Sequence, residues 1–240
     1  MTAGDPMPLF WSVERDGDTV AVNCPEPLRC AHAVHPAWMA HCAGAIRDEL
    51  RLLGIGEGTL LEATLAGDDL PLGETLLYEV GIPQPHVGAG VRLARMPATP
   101  AGVVQRYRHA PVGVAAGGDA GTLLASVRVP ITDGHELDTA RAVWLATRDA
   151  LHAALPPDAA ALPAGVDLRV RFVTGAARTQ GTVELIRRLL DGVSASLYGR
   201  EDDAGTDPRP ADDRIRAAEV TFALGAAPQL EIELRALPGG

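Results

Sequence analysis

The last quarter of the chain constrains the fold most, because its hydrophobic period changes twice within about seventy residues. V-D-L-R-V-R-F-V-T-G from Val166 to Gly175 reads as a strand. G-T-V-E-L-I-R-R-L-L-D-G from Gly181 reads as an amphipathic helix, entered through a glycine-bounded loop. P-A-D-D-R-I-R-A-A-E-V-T-F from Pro210 reads as an acidic corner that opens another strand. Two strands joined through a helix and followed by a last strand, Gln229–Leu234, require a sheet with at least one helix on it.

The remainder extends the pattern. Phe10–Val13 and Thr19–Val22 alternate as strands, and Asp16–Asp18 (D-G-D) is a hairpin turn. Met39, Cys42, Ile46, Leu50 and Leu53 form a helical stripe that ends at Gly54. Thr59–Leu65, Gly90–Ala94, Val103–Arg108 and Thr122–Val129 read as strands. Thr132 or Asp133 is positioned to cap a helix carrying Leu137, Ala140, Trp144, Leu151 and Leu155, which Pro156 and Pro157 end. The expected fold is α+β, with a mixed or mostly antiparallel sheet and about three substantial helices. The Gly/Ala-rich stretch Gly113–Gly121 divides it into residues 1–112 and 122–240, as two halves or as parts of one compact domain. Both halves run long helix, strand, short leucine-rich segment, strand, an order that an internal pseudo-repeat would leave.

All 21 basic residues are arginine. A chain without lysine forms no Schiff base with pyridoxal phosphate or a carbonyl substrate. It also lacks the lysine of a phosphate-binding loop, of a kinase strand and of a Ser-x-x-Lys pair. The net charge of −10 argues against nonspecific nucleic-acid binding. No apolar run approaches the ~20 residues that span a bilayer. The N-terminus has neither a basic start nor an apolar stretch, so no membrane is expected and the expected location is the cytoplasm.

The tail resembles the RusA-type Holliday-junction resolvases. In that family a D-x-D-N motif follows a strand, a helix of the form L-x-K-x-x-L-D comes next, and an acidic pair precedes the following strand. Leu185–Gly192 (L-I-R-R-L-L-D-G) matches the helix and Ala211–Ile215 (A-D-D-R-I) the acidic pair. The register places Gly181 and Val183 at the family's two aspartates and Glu184 at its asparagine, while the family's basic lysine has no counterpart. The resemblance therefore implies a RusA-like C-terminal half more than nuclease activity. L-L-Y-x-x-G, G-V-R-L and the late P-x-D-D also look like an uncharacterised family of high-GC bacteria.

Three sets of side chains are candidates for chemistry. Glu184, Asp191, Asp212 and Asp213 are the carboxylates that a Mg²⁺-dependent phosphodiesterase would converge. Glu184 reads equally as a first-turn partner of the helix dipole. Arg178, Gly181 and Thr182, where a strand meets a helix start, are placed to hold an anion or to form an ordinary capped turn. Cys24, Cys30, His32, His35 and His41 offer zinc ligands at a spacing that matches no standard module. Cys42 beside them belongs to the apolar stripe. These readings make the chain a non-catalytic accessory protein on an eroded nuclease fold, with a homodimer or protein partner expected. The alternative is a metal-dependent enzyme using Mg²⁺ or Zn²⁺.

Overall fold

A computed structural model describes residues 12–23, 36–53, 58–67, 72, 87–96, 103–114, 121–132, 134–155, 162–163, 165–175, 182–198 and 214–237. They form a mixed sheet of nine strands with three helices. In chain order these are β1 (Ser12–Asp16), β2 (Thr19–Asn23), α1 (Pro36–Leu52), β3 (Thr59–Ala66), β4 (Gly90–Met96), β5 (Gln105–Pro111), β6 (Thr122–Pro130), α2 (Ala140–Ala154), β7 (Val166–Thr174), α3 (Thr182–Tyr198), β8 (Ile215–Leu224) and β9 (Gln229–Ala236). Among the described residues, no helix is long and apolar enough to cross a membrane.

The strands lie in the order β1-β2-β5-β3-β4-β8-β7-β9-β6. Within the first half, β2 pairs antiparallel with β5, β5 antiparallel with β3, and β3 parallel with β4. Within the second, β6 pairs antiparallel with β9, β9 antiparallel with β7, and β7 parallel with β8. The two groups of four share one order and one set of pairing senses. They meet where β4 and β8 pair antiparallel, so a single sheet continues across the glycine-rich stretch. The segment 74–80, expected in the slot of α3, lies outside the described residues.

Period-two alternation gives each strand one apolar side. Leu168, Val170 and Phe172 on β7 and Leu230, Ile232 and Leu234 on β9 join one core with Ile46 and Leu50 of α1, Leu151 of α2, and Leu185 and Leu189 of α3. Trp144 is buried as well. Burying each such side chain contributes ~1.5–3 kcal/mol. α1 packs on β1 and β2, α2 on β6, and α3 on β8.

The start of α2 differs from the sequence expectation. Residues Gly134–Leu137 form a 3₁₀ turn, and the Glu136 carboxylate accepts bonds from the Thr132 backbone N–H and hydroxyl. The helix restarts at Ala140, with Thr139 as its cap accepting the Ala142 N–H at 3.0 Å. Thr132 thus anchors the turn by donating to Glu136, and Thr139 in its place caps the helix.

α2 and α3 pack closely. A Cβ on Gly192 would lie 2.6 Å from both the Ala140 carbonyl oxygen and the Val143 Cβ. One turn on, Ser196 exchanges a hydrogen bond with Thr147 at 2.8 Å, and His152 Nε2 bonds the Ser196 carbonyl at 3.0 Å.

Gly192→Ala should therefore destabilise the protein by ~1–3 kcal/mol through overpacking. Gly44→Ala in α1, whose new Cβ meets only the flexible tip of Arg47 at 3.8 Å, should stabilise it by ~0.5–1 kcal/mol. Urea denaturation midpoints for the two variants check the contrast; shifts of the same sign would refute the α2–α3 packing.

Candidate functional site

The sheet face opposite the core carries charge. β7 presents Asp167, Arg169 and Arg171 at every second position, and β9 presents Glu231, Glu233 and Arg235. The strand registers align such residues into one row across all nine strands. Asp16, Thr19, Arg108, Glu62, Arg92, Glu219, Arg169, Glu233 and Ser126 stand opposite one another in turn. From Arg108 to Glu233 the sign alternates at each step, and opposite charges on adjacent strands each contribute ~0.2–1 kcal/mol when exposed.

The centre of the row is withdrawn from water. Arg92 is 1% exposed, Asp167 2% and Glu62 4%. The Arg92 guanidinium reaches Asp167 Oδ2 at 3.1 Å and Glu219 Oε2 at 3.5 Å, joining β4 to β7 and β8. Arg169 Nε meets the same Asp167 oxygen at 3.2 Å. Arg92 Nε and Asp167 Oδ1 are buried with no hydrogen-bond partner. Two cations and two carboxylates thus neutralise one another, with part of their hydrogen-bonding capacity unused. Unused hydrogen-bonding capacity is costly inside a protein.

Beside this cluster the face opens into a cleft of about 360 Å³, lined by Arg169, Arg171, Glu219, Thr221, Glu231 and Glu233, among others. The volume is within the range of small-molecule sites. Arg171 Nη1 bonds Glu231 Oε2 at 2.9 Å, Gln229 Nε2 donates to the other Glu231 oxygen at 2.9 Å, and Arg235 Nη2 holds Glu233 at 2.9 Å. These contacts fix the rotamers of the cleft before any ligand arrives. Glu219 forms the boundary between cleft and cluster. Burial pushes its carboxyl above the ordinary value of 4.5, the guanidiniums of Arg92 and Arg169 offset part of that rise, and Asp167 adds to it. A carboxyl so poised exchanges protons nearer neutrality than an exposed one. The described lining includes no lysine, cysteine or histidine, and its one hydroxyl is that of Thr221.

Of the residues proposed from the sequence, the structure describes Glu184, Asp191, Thr182 and His41. Glu184 and Asp191 lie on α3, where each has an arginine one turn away: Arg188 at 3.8 Å from Glu184 and Arg187 at 3.7 Å from Asp191. Asp212 and Asp213 lie outside the described residues, as do Arg178 and Gly181. Thr182 opens α3. Cys24, Cys30, His32 and His35 also lie outside them, while His41 is exposed on α1 and Cys42 is buried in the core. Among the described residues, no group of three His, Cys, Asp or Glu side chains is arranged to hold a metal ion.

Sequence reasoning missed the charged face, although its signal was present. Charges at every second position in V-D-L-R-V-R-F and L-E-I-E-L-R mark a strand side that carries ions instead of a core. What the strings do not reveal is that β4, β8 and β7 are neighbours.

No protein-family model matches the sequence, and no curated protein matches it. Among solved structures, the chain compares with the cyanuric acid hydrolase of A. caulinodans, at 15% identity over 89% of this chain and 66% of that one, with a TM-score of 0.28. A second comparison is with a structure described as "Cyanuric acid hydrolase: evolutionary innovation by structural concatenation", at 9% identity over 94% and 68% of the two chains, with a TM-score of 0.24. The chain spans about two thirds of the length of each. Likeness at this level transfers no activity. No family model matches and neither of these two structures is described as a junction resolvase, so the RusA reading, and with it the accessory protein on an eroded nuclease fold, is corrected. The physical reason is visible in α3. L-I-R-R-L-L-D-G is an amphipathic helix whose Leu185, Leu189 and Leu190 are buried and whose arginines sit one turn from acids, a composition that core packing alone demands.

A carboxyl with a raised value in the folded state keeps its proton longer there than in the unfolded chain. The native state therefore loses stability as pH rises from about 4.5 through the raised value, and the loss is complete above it. Glu219→Gln should flatten that decline. Arg92→Met, which leaves Asp167 and Glu219 without their shared cation, should cost ~3–5 kcal/mol at neutral pH. Denaturation midpoints of the three proteins from pH 4 to pH 8 check both; an unchanged pH slope in Glu219→Gln would refute the assignment.

Proposed function

We propose that the cleft beside Glu219 binds a small polar molecule of no net charge, and that Glu219 exchanges a proton with it. The observation that carries this reading is the placement of a 9%-exposed carboxylate at the boundary between a buried Arg–Asp cluster and an open cleft. Arg169 and Arg171 offer donors to a ligand's acceptors; Glu231 and Glu233 offer acceptors to its donors. The described lining carries two positive and three negative side chains, and protonation of Glu219 brings the two signs to balance. A dipolar or zwitterionic ligand meets both signs at once, whereas an anion meets three carboxylates and a cation two guanidiniums.

The reading of the two halves as copies of one unit is part of this proposal. It is supported by their shared strand order and pairing senses. In such a duplication the second copy would have specialised its charged face around Glu219.

Titration with alanine as a zwitterion, with ethylamine and isobutyrate as singly charged comparators, tests the ligand class. Saturable shifts of the Arg169 and Arg171 side-chain NMR signals with alanine, weaker with either comparator and altered in Glu219→Gln, are the expected result. Equal response to all three would refute it.

A further inference from the structure

The first half of the sheet carries a second cleft, and we propose that it binds a small monocarboxylate through Arg106. The cleft, about 230 Å³, is lined by Thr19, Glu62, Thr64, Met96, Arg106 and Arg108. It shares no lining residue with the cleft beside Glu219, so the two inferences stand or fall separately.

The argument begins from the pairing of charges. Glu62 is 4% exposed and holds Arg108 Nε at 2.7 Å. That bond neutralises the one carboxylate of the lining. Arg106 is left as the cleft's unpaired cation among the described residues, and its Nε is buried with no hydrogen-bond partner. A buried guanidinium N–H without an acceptor is costly, and an anion that supplies one recovers the loss.

Sheet position accounts for the asymmetry between the clefts. Arg108 and Arg106 stand across β3–β5 from Glu62 and Thr64, as Glu233 and Glu231 stand across β7–β9 from Arg169 and Arg171. The charges at corresponding positions are reversed. Where Arg171 has Glu231 opposite it, Arg106 has Thr64, a hydroxyl in place of a carboxylate. The ion pair that occupies the cleft beside Glu219 is thus missing from the cleft beside Arg106.

The geometry also selects among anions. One unpaired guanidinium balances one negative charge, and its planar fork matches the two oxygens of a carboxylate. Thr64 adds a neutral donor on the same face, and Met96 adds an apolar wall that suits a short hydrocarbon body. Phosphate, with more than one negative charge on average at neutral pH, would meet one free cation beside the Glu62 carboxylate.

Propionate titrated into the full chain at constant ionic strength near neutral pH tests the proposal, read by the side-chain Nε–H signals of the arginines. Inorganic phosphate and chloride serve as comparison anions. The expected result is a saturable shift of the Arg106 signal with propionate, absent with chloride and weaker with phosphate. Arg106→Gln should weaken propionate binding by about tenfold or more, and Thr64→Val should weaken it by a smaller factor. Arg51→Gln, a surface change on α1, should leave it unaltered. Propionate acting no differently from chloride, or binding unchanged in both Arg106→Gln and Thr64→Val, would overturn the proposal. Saturation by phosphate in preference to propionate would overturn the carboxylate assignment.

Discussion

Arg92 holds the molecule together at its most demanding point. The two groups of four strands meet at the β4–β8 pair, and across that join Arg92 reaches Glu219 on β8 and Asp167 on β7. In water such contacts contribute little. At 1–7% exposure they are obligatory, because removal of Arg92 leaves buried acids short of a counter-ion. The join is thereby specified by electrostatics on one face and by Val91, Leu93, Ala218 and Val220 on the other. A shift of one residue in the β4–β8 register would turn those apolar side chains to the charged face and the ions into the core.

The charged row follows from that constraint. Once Arg92 is fixed between two acids, each neighbouring strand places an opposite charge beside the last: Glu62 and Arg108 on one side, Arg169 and Glu233 on the other. Both clefts are lined in part by members of this row. Glu219 keeps its proton longer because the Asp167 charge adds to its burial. Arg106 remains uncompensated because Thr64 occupies the position of an acid. The helices contribute by filling the opposite face; α2 and α3 approach to the distance that Gly192 permits.

Much of the architecture was legible in the sequence because it rests on local periodicity. The stripe Cys42–Ile46–Leu50 gave α1, Leu185 and Leu189 gave the buried side of α3, and the alternation from Val166 gave β7. The 3₁₀ turn before α2 was not legible. Thr132 and Thr139 are both competent caps, and the choice between them depends on the Glu136 carboxylate folding back on Thr132. The candidate site was missed more completely. Glu184 and Asp191 stand out in the sequence as acids on one helix face, and each also lies i,i+4 from an arginine, Arg188 and Arg187.

The sequence alone determined that the chain contains no lysine chemistry, that alternation gives its strands an apolar side, and that a mixed or mostly antiparallel sheet with about three substantial helices is expected. These properties belong to residue types and to spacings of two or four along the chain. Tertiary structure decided which charges meet. Arg92 and Glu219 are 127 residues apart and Arg92 and Asp167 are 75 apart, so no local pattern pairs them. Their encounter depends on strand order, and strand order is set by long-range burial of the apolar faces. The same placement that buries Arg92 leaves Glu219 and Arg106 at the margins of open clefts, and it is there that the sheet can meet another molecule.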